Sequence, residues 1–136
     1  ALDTGGAQLT LDFGAGYGIL DGPGYDMVFY ENPFGIGIHL DLVTIDVSYD
    51  GTNWYTVFNW DGIAGGVSGT NIDSYATDGL GEEEDEQIPS GDLYNATGIA
   101  IDIDSWTPAG YSFRYVRFTD AGGTQSAQID AVERLN

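Results

Sequence analysis

The sequence predicts an all-β sandwich of about seven or eight short strands, with no amphipathic helix. Three observations carry this. Twenty-one glycines are spread along 136 residues, and turn signals recur roughly every ten residues. Apolar residues alternate with period two in several segments, where a helix would repeat them at 3.6. Hydrophobic residues make up 42% of the chain and aromatics 13%, so one domain of this length can fill a core despite its acidity.

In chain order, LTLDF at residues 9–13 alternates, with Leu9, Leu11 and Phe13 facing inward. Residues 17–20 follow a glycine cluster and read as a loop or edge strand. DGPGYDMVFYEN at residues 21–32 is the stretch around which the chain is organised. It opens as a turn, with Pro23 fixing one φ and Gly22 and Gly24 open to positive φ. It continues as Met27-Val28-Phe29-Tyr30, apolar on both faces like a central sandwich strand, until Pro33 ends it. Residues 35–38 read as a flexible connection, and His39, the lone histidine, as a surface or loop residue.

Residues 43–50 are the clearest strand. Val43, Ile45, Val47 and Tyr49 face one way and Thr44, Asp46, Ser48 and Asp50 the other. Asp50-Gly51-Thr52-Asn53 is a hairpin turn, and residues 54–60 return as its partner. Residues 61–81 read as a long loop with one short strand near Ile72. The acidic run at residues 82–86 reads as a solvated, mobile segment, or else as a weak cation site or an acidic face toward a neighbouring subunit. In the strand at residues 99–104, Ile99, Ile101 and Ile103 point inward. Asp102 and Asp104 share the outer face, where like charges repel unless an ion or arginine lies near. Residues 113–119 and 129–135 close the chain.

Charge narrows the function. Twenty-two acidic residues face three arginines and no lysine, a net charge of −19. Such a chain repels itself, and bound cations or salt relieve it. Nucleic acid and anionic membranes are excluded as partners, because both require clustered basic residues. There is no cysteine, hence no disulfide or zinc–thiolate site, and no apolar run long enough for a spanning helix. The chain starts at Ala1 without an apolar leader and reads as a mature or excised piece of an exported protein, so an extracellular home is expected.

Asp21, Asp26 and Glu31 place three carboxylates on a tight turn and at the two ends of a rigid strand. A hard cation such as Ca²⁺ needs oxygen donors of this kind; equally, such residues serve as plain turn formers. Trp106, in a loop-like segment, is the tryptophan best placed to stack on a sugar, whereas Trp54 and Trp60 belong to a strand that fills the core. Asn95-Ala96-Thr97 is a glycosylation sequon in a surface turn. Catalysis is not expected. One histidine and no nucleophile elbow leave no triad, and acidic pairs are too frequent here to single out a glycosidase dyad.

Taken together, LDFG at 11–14, DGPGYDMVFYEN at 21–32, VSYDGTNW at 47–54, FRYVRFTDAG at 113–122 and IDAVE at 129–133 resemble a recurrent module of secreted bacterial and archaeal surface proteins. The likeness spans residues 5–135, and its most specific phrases are DGPGxD and IDAVE. It implies a jelly-roll sandwich of about seven to nine mostly antiparallel strands in one domain over residues 1–136, similar to galactose-binding-like and discoidin-like modules. Such modules are non-catalytic and often hold structural Ca²⁺. The matching acidic positions are Asp21, Asp26, Glu31, Asp130 and Glu133, and the resemblance implies a cation tying the early motif to the last strand at Asp130 or Glu133. Members carry another strand before LDFG that this chain lacks. The open edge would be filled by a neighbouring copy, with Ala1, Leu2 and Asp3 in the contact. The expected role is therefore a self-associating subunit of a surface filament, sheath or layer, with polysaccharide binding as the alternative.

Overall fold

The computed structural model describes residues 6–63 and 67–136. The strands in order are β1 (Gln8–Asp12), β2 (Ile19–Leu20), β3 (Met27–Glu31), β4 (Gly37–Leu40), β5 (Val43–Ser48), β6 (Trp54–Trp60), β7 (Glu86–Pro89), β8 (Gly98–Ile101), β9 (Ser112–Phe113), β10 (Tyr115–Asp120) and β11 (Ile129–Arg134). One helical turn, α1 (Asp73–Ala76), and a 3-10 turn at Ser90–Asp92 complete the elements. The four-stranded sheet runs β1-β10-β5-β6 and the three-stranded sheet β11-β3-β8, with two further pairs, β2-β9 and β4-β7. Every pairing between these strands is antiparallel. The chain is an all-β sandwich.

Phe29 is the junction between the two larger sheets. It is fully buried on β3, and its ring meets Phe58 of β6 at 5.3 Å and Phe118 of β10 at 5.9 Å, both edge to face. Met27 and Val28 beside it are also fully buried, which matches a strand flanked by β11 and β8 and apolar on both faces. On β5, Val43, Ile45 and Val47 turn into the same core. The outer face of that sheet carries polar pairs instead. Arg117 of β10 donates to Asp46 of β5 at 2.8 Å while its guanidinium lies 4.1 Å from the centre of the Trp54 ring.

The Asp-Gly hairpin forms as its sequence demands. Gly51 has φ of +78°, and Asp50 Oδ1 accepts the backbone N–H groups of Thr52 and Asn53 at 2.8 and 2.7 Å. Those two donors, Asn53 first, hold the Asp50 carboxyl down at about 2.

Four local expectations are corrected. The strand count is eleven among the described residues; the additional strands span only two to four residues, too short for alternation to declare them. Leu9 is 38% exposed, because β1 is an edge strand with only β10 beside it and overhangs the core. Residues 35–38 are not a loose connection. Phe34 and Gly37 exchange backbone hydrogen bonds, β4 begins at Gly37, and Ile38 is fully buried. No strand forms near Ile72, where the short helix α1 stands instead. Asp73 caps the segment before it, accepting the N–H groups of Gly69 and Thr70.

The acidic run is also more structured than a solvated segment. Glu82 is buried and accepts the Asp61 N–H, the Trp60 indole donates to the Glu83 carbonyl at 2.9 Å, and Glu84 accepts the Gln125 N–H at 2.7 Å. Residues 82 and 83 are thereby tied to the end of β6, and residue 84 to residue 125. The contact expected at Ala1, Leu2 and Asp3 lies outside the described residues.

Candidate cation sites

The two ends of β3 each carry an acidic centre. The first is built where β3 begins. Asp26 is fully buried just after the DGPG turn, whose Gly24 takes φ of +83°. Its backbone N–H donates to the Ile101 carbonyl at 2.9 Å, which sets it beside the exit of β8. Its Oδ2 accepts the Ile103 N–H at 3.0 Å and its Oδ1 accepts the Asn136 side-chain amide at 2.9 Å. Past β8 the chain keeps its alternation for three more residues, with Ile103 buried between Asp102 and Asp104, so the two acids emerge on one side. One carboxylate oxygen from each of Asp26, Asp102 and Asp104 lies within 4.8 Å of the others.

The electrostatics of this cluster are one-signed. The Asp104 carboxyl is raised above its ordinary range, first by lost hydration and then by the charges of Asp102, Asp26 and Asp21, while the Gly22 N–H offsets part of the effect. All three arginines are engaged elsewhere: Arg114 with Asp12, Arg117 with Asp46, and Arg134 with the Gly18 carbonyl. Three converging oxygens without an opposing cation are a donor set that a hard divalent ion accepts.

The second centre lies where β3 ends, about 16 Å away along the strand at 3.3 Å per residue. Glu31 is 1% exposed and Asp41, at the β4–β5 corner, 5%. Among the described residues, Glu31 Oε1 and Asp41 Oδ1 have no hydrogen-bond partner. Both residues line a cavity of about 270 Å³, together with His39, Asp85, Gln125 and Gln128. His39 Nδ1 lies 3.0 Å from Asp85 Oδ1. Burial, followed by the charge of Asp41, pushes the Glu31 carboxyl up to about 9. Asp41 is raised to about 6, by burial and then by Asp85 and Glu84, with His39 opposing.

The five acidic residues singled out in the sequence therefore do not form one site. Asp26 joins the first centre and Asp21 acts on it; Glu31 belongs to the second. Asp130 is exposed at a β-bulge of β11, and Glu133 is exposed on β11 and accepts the Tyr30 hydroxyl at 2.6 Å. Neither joins the other three. The early motif is tied to the chain end by direct hydrogen bonds, with the Leu135 N–H on the Asp26 carbonyl at 2.7 Å. A tie through Asp130 or Glu133 is not needed for that closure.

Asp41, Gln125 and Gln128 escaped the sequence reading, whereas Asp85 lies in the acidic run read as a mobile segment or a weak cation site. Asp41 alone carried a signal, since it is an acid set between Leu40 and Leu42 in an apolar run. Trp106 is 38% exposed, and its indole N–H donates to the Ser68 carbonyl at 3.3 Å. Asn95 sits exposed in the turn closed by Tyr94 and Gly98, and its amide donates to the Tyr30 hydroxyl at 3.3 Å. Comparison with known protein families, curated proteins and solved structures finds no match.

Proposed function

We propose that this chain is a non-catalytic, Ca²⁺-binding extracellular β-sandwich that acts as a self-assembling structural subunit of a surface filament, sheath or layer. The convergence of Asp26, Asp102 and Asp104 carries the proposal. Calcium takes six to eight oxygens at about 2.3–2.6 Å, and three carboxylates from two chain segments plus water meet that need. An ion there would join the turn before β3 to the segment after β8. The net charge of −19 on a compact fold adds a general reason for cation dependence. The likeness to secreted surface-protein modules supports the extracellular role. The edge position of β1, which among the described residues pairs only with β10, supports assembly by strand addition from a neighbouring copy.

The test is thermal unfolding with particle sizing in Ca²⁺, in chelator, and in chelator with high NaCl. Ca²⁺ is expected to raise the midpoint and NaCl to leave it low, and Asp102→Asn/Asp104→Asn should remove most of the Ca²⁺ response. Growth in particle size that requires Ca²⁺ would support assembly. If NaCl rescues as fully as Ca²⁺, the acidity is diffuse and the site is not a calcium site.

A second reading, binding of a polysaccharide, is favoured by the partial exposure of Trp106. Trp106→Ala is then expected to lose retention on an insoluble polysaccharide column; retention equal to the parent would dismiss this reading.

A further inference from the structure

We propose that the cavity at the C-terminal end of β3 is a separate Ca²⁺ site, with Glu31 and Asp41 as its buried ligands and Asp85 at its mouth. The argument begins with oxygens that have nothing to bind. Glu31 Oε1 and Asp41 Oδ1 are shielded from solvent and carry no hydrogen bond among the described residues, and both residues line the same cavity. A buried polar atom without a partner is costly, and two such carboxylates on the wall of one cavity point to a missing occupant. That occupant must be positive. The chain has no lysine, its three arginines are committed to Asp12, Asp46 and Gly18, and the charge of the N-terminal amine is the smallest of the influences on the Glu31 carboxyl.

The remaining walls select among cations. Asp85, Gln125 and Gln128 add carboxylate and amide oxygens, and the Gln128 amide oxygen is already oriented by the Asn32 side chain at 3.0 Å. There is no thiolate, and the single imidazole is turned toward Asp85, so a soft or borderline transition metal is poorly served. An irregular set of oxygens with room for water suits Ca²⁺ better than Mg²⁺, which demands a near-octahedral shell. The site also gives the acidic run a task. Asp85 is its fourth residue, and Glu84 beside it holds the backbone of Gln125. An ion would therefore fasten the end of β3, the β4–β5 corner and residues 84–85 to the segment at 125–128. This assignment stands independently of the Asp26 cluster.

The experiment is equilibrium dialysis of the intact chain against ⁴⁵Ca²⁺, comparing the parent with Glu31→Gln, Asp41→Asn and Asp102→Asn/Asp104→Asn. Glu31→Gln and Asp41→Asn are each expected to lose about one bound ion per chain, while Asp102→Asn/Asp104→Asn keeps it. Trace Mn²⁺ supplies a readout that needs no change in the cavity. The lone histidine makes the His39 imidazole NMR signals unambiguous, and they should broaden in the Asp102→Asn/Asp104→Asn background and sharpen again on adding Ca²⁺. Unchanged stoichiometry in a folded Glu31→Gln or Asp41→Asn chain overturns the site. So does a His39 signal that stays sharp in Mn²⁺. Loss of all binding in Asp102→Asn/Asp104→Asn alone would leave the first site standing and remove this one.

Discussion

Phe29→Ala is expected to cost about 3–5 kcal/mol of folding stability, the range for truncating a fully buried phenylalanine. The upper part applies because Phe29 lies on the central strand of one sheet and touches rings from two strands of the other. Neighbours anchored in two opposed sheets cannot collapse into the space without shifting a sheet, so the cavity persists. Against a typical total of about 5–15 kcal/mol, that loss is a large share. Urea unfolding of the parent and the variant at saturating Ca²⁺ checks it. A loss below about 1 kcal/mol would mean that the sheets are held together elsewhere. The same variant should weaken both cation sites, because Asp26 and Glu31 flank one strand and move with it.

Glu31→Gln is expected to have the opposite sign in chelator, stabilising the protein at neutral pH. In the folded chain the Glu31 carboxyl keeps its proton up to about 9, against an ordinary value of 4.5. Between those two values the folded state binds more protons than the unfolded state, so stability falls as pH rises. At pH 7 the deficit has accumulated over roughly 2.5 pH units, on the order of 3 kcal/mol. Glutamine matches the protonated side chain in shape and carries no such deficit. The two proteins should therefore converge below about pH 4.5 and separate above it. Denaturant midpoints of both chains in chelator, at acidic and neutral pH, provide the measurement. A Gln variant less stable than the parent at pH 7 would show that the carboxylate has a favourable partner in the fold. Adding Ca²⁺ should reverse the ranking, because only the parent can exchange its proton for the ion.

Local structure was legible where the residues themselves set it. The alternation of residues 43–48 follows from the two-residue repeat of a strand and reappears as β5 with Val43, Ile45 and Val47 inside. The Asp50-Gly51 turn requires a positive φ and a side-chain acceptor, and both are written in four residues. The doubly apolar Met27–Tyr30 announced a central strand, and β3 is one. The all-β class follows from the same signals, summed along a glycine-rich chain.

What the tertiary structure alone decided was the company each residue keeps. Leu9 has the right alternation, yet an edge position leaves it exposed; Ile38 sits among glycines, yet pairing with Ile88 buries it. Asp26 meets Ile103, 77 residues away, because β3 lies beside β8. Asp41 is marked locally as an acid between two leucines, but that it shares a cavity with Glu31 is written in no local pattern. Sequence periodicity records which face of a strand is apolar, a property of nearest neighbours. Strand order is set by how whole faces bury together, and it alone determined which partners the acids at the two ends of β3 find there.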